Sequence, residues 1–225
     1  MTIHIYGTPT SGCVRRVAIF FEELKIPYLL HVVELSKYEH KIAAHLEHQP
    51  FGQVPYVVDD ANDNFEIYES RAIVRYLVLQ YGKDSGLIPG LATGDVKALA
   101  KFEQAASVET ADFDPSASGL AYQKRIIPTV YGGQPDEKLA EIYTATLQVK
   151  LDGYERILSK SKYLAGDSVS IVDLFHLPSG THIEYLIPGI LSDESKRPSL
   201  ARWWKDISNR PSWLAVKDGV TNTAS

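Results

Sequence analysis

Three short clusters in this chain carry side chains able to bind or activate a small polar molecule. The first is Ser11-Gly12-Cys13, with Arg15 and Arg16 close behind. A helix starting there aims unpaired backbone N–H groups and the positive end of its dipole at an anion, so a hydroxyl or thiol at that point can stabilise a thiolate or become one. A serine in that place also serves as a plain N-cap, which is its commoner use. The second cluster is Gln53-Val54-Pro55. A cis X–Pro bond just before a strand would turn the Val54 N–H and C=O outward toward an extended peptide, whereas a trans proline would make an ordinary loop. The third is Glu69-Ser70, an acid and a hydroxyl at another helix start, suited to an amino group and a carboxylate, although each alone also reads as a capped helix. Tyr6, at the end of the first strand, offers a rival hydroxyl whose ordinary role is packing. His45 and His48 have metal-ligand spacing but no third ligand in view, so they read as surface residues and no metal is expected.

The elements that must position these clusters follow from periodicity and breakers. Thr2–Tyr6 alternates as a strand ending at Gly7. After the loop Thr8-Pro9-Thr10, the residues Val14, Val17, Ala18, Phe21 and Leu24 recur on one helical face. Tyr28–Val33 follows Pro27 as a second strand, and a β-α-β opening makes the two strands parallel. Glu34–Gln49 is a polar connection. Tyr56–Val58 and Phe65–Tyr68 read as a hairpin around the turn-forming residues 59–64, and Ser70 caps a helix bearing Ile73, Tyr76 and Leu77. The sum is βαβ-ββα over residues 1–81.

Glycines and a proline crowd residues 82–94, which read as the linker, and residues 95–225 read as an all-helical domain. One helix should precede Phe113. A second carries the stripe Leu139, Ile142, Tyr143, Leu147, Leu151, Tyr154 and Leu158. Ser170 and Asp173 have capping-box spacing, which makes Asp173 a folding residue rather than a catalytic one. Gly219–Ser225 read as a frayed tail.

Bulk properties exclude several functions. With 225 residues, 44% of them hydrophobic, the chain can bury a core. A formal charge of −5 without a Lys/Arg-rich block argues against a nucleic-acid partner. Cys13 is the only cysteine, so neither an intramolecular disulfide nor a cysteine-based zinc cluster can form, and a reducing compartment fits. The opening residues lack a signal peptide's pattern and no run is long enough for a membrane span, so no membrane partner and a cytoplasmic location are expected.

As a set, the clusters resemble the glutathione transferases, most closely the phi type that uses a serine. The matching motifs are Glu39-His40-Lys41, Pro50-Phe51-Gly52-Gln53-Val54-Pro55 and Phe65-Glu66-Ile67-Tyr68-Glu69-Ser70-Arg71-Ala72-Ile73. Downstream, Ser159–Asp167 and Val169–Leu174 look like that family's C-terminal helix-start motif, so the similarity spans nearly the whole chain. The resemblance implies an α/β N-terminal thioredoxin-like domain (βαβ-ββα) followed by an all-α C-terminal helical domain, and a homodimer. It implies that Ser11 donates its hydroxyl hydrogen to the sulfur of glutathione without forming a covalent bond. His40 and Lys41 would hold the glycine carboxylate, Gln53 and Val54 the cysteinyl backbone, and Glu69 with Ser70 the γ-glutamyl end. Glutathione is thus a cosubstrate, and no cofactor is expected. Arg16 would support the site electrostatically, while Arg15 reads as part of a solvated face. An apolar electrophile would sit on the second domain facing Ser11, with Thr10, Phe113, Leu120 and Tyr122 as lining.

The implied reaction is attack of glutathione thiolate on a soft electrophile, or reduction of an organic hydroperoxide. Thiol transfer through Cys13 is the alternative chemistry, and Ser11 occupies the place, five residues before Arg16, where cysteine-type relatives carry their cysteine. A ligand carrier without turnover is the third reading. Homodimerisation is implied by the resemblance, with Phe51 as the interface anchor.

Overall fold

The computed structural model describes residues 2–223. Strand β1 (Ile3–Gly7) leads into helix α1 (Gly12–Leu24), strand β2 (Tyr28–Val32) and two 3-10 turns, Leu35–Lys37 and Glu39–Lys41. Then come α2 (Ala43–Leu46), β3 (Tyr56–Asp59), β4 (Phe65–Tyr68) and α3 (Ser70–Tyr81). The helical part comprises α4 (Val96–Val108), α5 (Asp114–Ala121), α6 (Ile127–Val130), α7 (Glu137–Leu158), α8 (Ile171–Phe175), α9 (Leu177–Leu186) and α10 (Pro198–Ser208). Two π-helical turns, Glu109–Phe113 and Tyr122–Ile126, flank α5, and α11 (Pro211–Val216) closes the series.

Two compact units result. The first runs to Ser85 and takes back the chain from Pro211 onward; the second spans Gly86–Arg210. The division falls inside the expected 82–94 segment, but the last residues differ from the sequence reading, which placed them in the helical domain. Helix α11 belongs to the first unit because Arg15 reaches it: the Arg15 Nη1 donates to the Lys217 carbonyl at 2.6 Å and the guanidinium lies over the Trp213 ring. Arg15 is consequently buried, not solvated as its helical position suggested. The tail is also tied down as far as Thr223. Val220 N–H donates to the Pro9 carbonyl, and Asn222 and Thr223 accept from the amides of Leu30 and Tyr28. Ala224 and Ser225 of the expected frayed tail lie outside the described residues.

The sheet order is β2-β1-β3-β4, with β1 and β2 parallel as the β-α-β opening required and the other pairs antiparallel. Strand alternation sorts side chains between its faces. Ile3, Ile5 and Val57 are fully buried on the side of α1 and α3, with Val14, Val17, Ala18, Ile73 and Leu77. His4 and Tyr6 take the other side, where rings stack from His4 through His31, Tyr6 and Tyr56 to His48. Helix α1 stops where Lys25 enters the left-handed region and its N–H turns back to the Phe21 and Glu22 carbonyls, with Pro27 barring continuation.

Gly7 sets the depth of α1. A Cβ there would come within 2.5 Å of Val14 Cγ2, so only glycine lets the first turn of the helix settle on the end of β1.

In the second unit, Leu147, Leu151, Tyr154 and Leu158 bury the stripe of α7 as expected, while Ile142 is 53% exposed because it falls off the same face. Asp173 is fully buried. Its Oδ2 accepts from the Ser170 N–H and hydroxyl at 2.8 Å each, completing the capping box, and its Oδ1 accepts from Leu164 N–H at 3.0 Å and Trp203 Nε1 at 2.9 Å. No helix among the described residues is long and apolar enough to cross a membrane.

The Asp173 carboxylate thus satisfies four buried donors and exceeds a helix cap in weight. Asp173→Ala should cost about 3–5 kcal/mol, because it strands those donors, and Ser170→Ala about 1 kcal/mol. Chemical denaturation of both variants, with turnover measured on the folded fraction, checks this; equal stabilities with activity lost in Asp173→Ala would make the carboxylate catalytic instead.

Candidate functional site

The loop between β1 and α1 is held from three sides. Ser11 N–H donates to the Thr8 carbonyl at 3.0 Å, the Thr8 hydroxyl to the Val33 carbonyl at 2.5 Å, and Pro9 accepts from Val220. Ser11 itself is extended, with φ −62° and ψ 132°, and its carbonyl receives the Arg15 N–H at 2.9 Å. Its side chain makes no capping bond. The hydroxyl expected to be spent on the helix end is therefore available at the positive end of α1.

Arg16 is 3% exposed and its Nη1 donates to the Ser70 hydroxyl oxygen at 2.9 Å, with Cys13 Sγ 3.6 Å from the same nitrogen. This contact joins the starts of α1 and α3. Ser70 is the first residue of α3 and not its cap, a place taken by Glu69. Glu69 has φ 67° and ψ 107°, a conformation that costs a non-glycine residue about 1–3 kcal/mol. Glycine would be cheaper there, so a carboxylate kept under strain and exposed to solvent points to use of its side chain.

The Val54–Pro55 bond is cis, one of the two states the sequence left open. Neither the N–H nor the C=O of Val54 has a hydrogen-bond partner among the described residues. The segment is shaped from beneath by Gln49, 1% exposed, whose Oε1 accepts from the amides of Phe51 at 2.9 Å and Gln53 at 3.0 Å. His45 Nε2 donates to the Gln53 carbonyl at 2.7 Å. His45 is buried against the edge of Tyr56 rather than on the surface, and only His48, paired with Glu66, lies toward solvent. The sequence reading missed Gln49; a side-chain amide directly before Pro-Phe-Gly was the available signal.

Lys41 Nζ donates to the Phe51 carbonyl at 3.1 Å, which fixes it beside the same loop. His40 is 8% exposed and its buried Nδ1 has no partner. Burial first, then the neighbouring Lys41 and His45, hold its imidazole below the usual histidine range, so it is neutral at neutral pH. Charge for a carboxylate must come from Lys41.

Tyr6 is sandwiched between His31 and Tyr56, both ring centroids 4.4 Å away. Of the expected electrophile lining, Phe113 packs on His176 and Tyr154 within the helical core and Leu120 is 2% exposed. Both are corrected to core residues, because the π-helical turn at Glu109–Phe113 rotates Phe113 inward. Thr10 and Tyr122 remain exposed.

The family model for the glutathione S-transferase N-terminal domain matches residues 10–79, and that for the C-terminal domain matches residues 92–211. The chain belongs to the glutathione S-transferase family. Glutathione S-transferase PM239X14 of Arabidopsis thaliana is 46% identical over 205 residues, covering 91% of this chain and 90% of the relative. The crystal structure of glutathione transferase F7 from Populus trichocarpa superposes with a TM-score of 0.86 at 32% identity, covering 96% of this chain and 98% of that one. Glutathione S-transferase I from maize, in complex with an atrazine glutathione conjugate, gives 0.83 at 30% identity, covering 96% of each chain. Phi-type relatives and neighbours agree with the resemblance read from the motifs, and glutathione is the cosubstrate of this transferase family.

Gln49 positions the backbone that an extended peptide would pair with. Gln49→Leu should leave two buried amides without an acceptor and raise KM for glutathione about tenfold, with kcat changing less. Steady-state kinetics on folded protein provide the check, and an unchanged KM would remove Gln49 from this role.

Proposed function

We propose that this transferase binds glutathione along its first unit and holds the thiolate at Ser11. The observation carrying this reading is the Ser11 hydroxyl, free of any capping bond at the start of α1. A free thiol has a pKa of about 8.5, and a hydroxyl donor beside a helix N-terminus favours its ionised form. Glu69 takes the ammonium of the γ-glutamyl end, with Ser70 on its carboxylate and Arg16 behind Ser70. The Val54 N–H and C=O pair with the cysteinyl backbone, next to Gln53, and Lys41 with the neutral His40 holds the glycine carboxylate.

In the reaction, the thiol proton leaves to solvent and the sulfur attacks a soft electrophilic carbon, forming a C–S bond as the leaving group departs. An apolar electrophile fits the conjugate bound in the maize neighbour. An organic hydroperoxide is the second substrate class: the sulfur takes its terminal oxygen and releases the alcohol, and a second glutathione then gives the disulfide and water. Thr10, exposed in the first unit beside Ser11, is proposed to meet the electrophile.

Ser11→Ala should raise the apparent pKa of bound glutathione and lower turnover roughly ten- to hundred-fold, the loss of one charge-assisted hydrogen bond worth about 1.5–3 kcal/mol. Tyr6→Phe and Cys13→Ser should change little. The ultraviolet thiolate band followed against pH in all three variants decides among them: movement only in Tyr6→Phe would make this a tyrosine-type enzyme, and activity lost only in Cys13→Ser would make it a thiol transferase.

We also propose a homodimer anchored by Phe51. That ring is 65% exposed, touched at its edge by Tyr68, itself 37% exposed. A large aromatic left in water on a loop is the kind of side chain that anchors an interface. Sedimentation of Phe51→Ala should show a weakened dimer; a monomeric parent, or an unaffected variant, would refute the assignment.

A further inference from the structure

Two histidines that the thiol chemistry does not use meet on one face of the sheet. His4 on β1 and His31 on β2 lie on parallel neighbouring strands; His31 is paired with Tyr6 in the register, which makes it diagonal to His4. Both side chains stand with Tyr6 on the face away from α1 and α3. His4 Nδ1 is 2.8 Å from His31 Nε2, with the ring planes 26° apart. The two are 27 positions apart in the chain, so no local spacing announces the pair.

Each ring is held by a partner of its own. Tyr6 stacks on His31 with centroids 4.4 Å apart and 13° between the planes. On the far side of His4, Nε2 faces the Asp60 Oδ2 at 3.8 Å, and the other oxygen of that carboxylate accepts the Thr2 N–H at 2.9 Å. A carboxylate beside Nε2 favours the His4 tautomer that carries its proton there, which leaves the Nδ1 lone pair directed at His31. His31 then donates from Nε2 into that lone pair. Burial first, then His4, hold His31 below the usual histidine range, so its ring is neutral at neutral pH, the form that binds metals.

The spacing suits one ion. Two imidazole nitrogens bound to the same metal at about 2.0–2.1 Å stand roughly 2.9–3.4 Å apart, from right-angled to tetrahedral geometry. The observed 2.8 Å is just short of that range, so an ion can replace the shared proton with a small parting of the rings. His31 is exposed and His4 half-buried, so water can reach the ion and complete its shell. Among the described residues no third histidine, cysteine or carboxylate joins them as a ligand, which makes this an open two-imidazole chelate and not a closed cage.

We propose that His4 Nδ1 and His31 Nε2 chelate one late first-row divalent ion, Zn2+ or Cu2+, with Asp60 orienting His4 from its other nitrogen. On binding, the proton at His31 Nε2 is exchanged through water for one at Nδ1, and both rings stay neutral. The site lies within the first unit and does not depend on the proposed role of Ser11.

The test is calorimetric titration of the full chain with ZnCl2 in a non-coordinating buffer, without glutathione, whose thiol would compete for the ion. The parent should take up one saturable equivalent. His4→Gln and His31→Gln should each weaken binding beyond roughly tenfold, and Asp60→Asn, which keeps an acceptor for Thr2, should weaken it by roughly tenfold. Cys13→Ser and His48→Gln remove the nearest competing ligand types and should leave the isotherm unchanged. Zn2+ should raise the Tm of the parent and not that of His31→Gln. Absence of saturable binding by the parent, an isotherm retained in both His4→Gln and His31→Gln, or its loss in Cys13→Ser or His48→Gln would overturn the proposal. Neither histidine belongs to the apolar core, and two independent single variants decide the matter if one fails to fold.

Discussion

The close approach of α1 to the end of β1, permitted by the absence of a side chain at Gly7, governs the geometry of the first unit. A Cβ on Gly7 would strike Val14 at 2.5 Å and would also lie 3.5 Å from the Val54 Cβ and 3.6 Å from that of Pro55. One backbone position therefore sets the start of α1 and the Val54–Pro55 segment side by side. The start of the helix, with its unpaired N–H groups and dipole, thus lies close to Val54, whose amide is uncommitted. Any larger residue would push the helix outward, away from the Val54–Pro55 segment.

The remaining contacts propagate that arrangement. Arg16, buried beneath the first turn of α1, reaches Ser70 and so couples α1 to α3. A buried guanidinium needs polar partners, and here the need for a partner links two helix starts that are 54 positions apart in the chain. Gln49 and His45 act comparably on the other side, tying both ends of the Gln53 peptide to the segment that follows β2. Glu69 completes the set through a strained backbone. Together these contacts gather side chains of both signs beside the starts of α1 and α3 and the Val54–Pro55 segment.

The two faces of the sheet serve different ends. Ile3, Ile5 and Val57 bury the face under α1 and α3, giving the apolar core on which the helix starts rest. The stacked rings of His4, His31, Tyr6, Tyr56 and His48 stiffen the opposite face, and the column occupies the Tyr6 ring in packing. In the second unit, Asp173 plays the organising part, with one carboxylate gathering the start of α8, the Leu164 amide and the Trp203 indole.

Local pattern alone determined the β-α-β opening, the hairpin at Tyr56 and Phe65, the helix starts at Ser11 and near Ser70, the long stripe of α7 and the capping box at Ser170. Each of these is written in spacings of two to four residues, which the backbone reads without reference to distant chain. The motifs around His40, Gln53 and Glu69 likewise pointed to the family. Tertiary structure decided the burial of Arg15 and Arg16, the return of α11 and the tail to the first unit, the strained backbone of Glu69, the clamp of Gln49 and the inward turn of Phe113. Those outcomes depend on partners such as Trp213, Lys217, Ser70 and His176, and on π-helical turns that shift the helical phase. A charged residue beside an apolar stripe looks solvated until a segment some 200 residues later covers it. Sequence periodicity carries no record of that covering, because burial is a property of the pair of surfaces and not of either one.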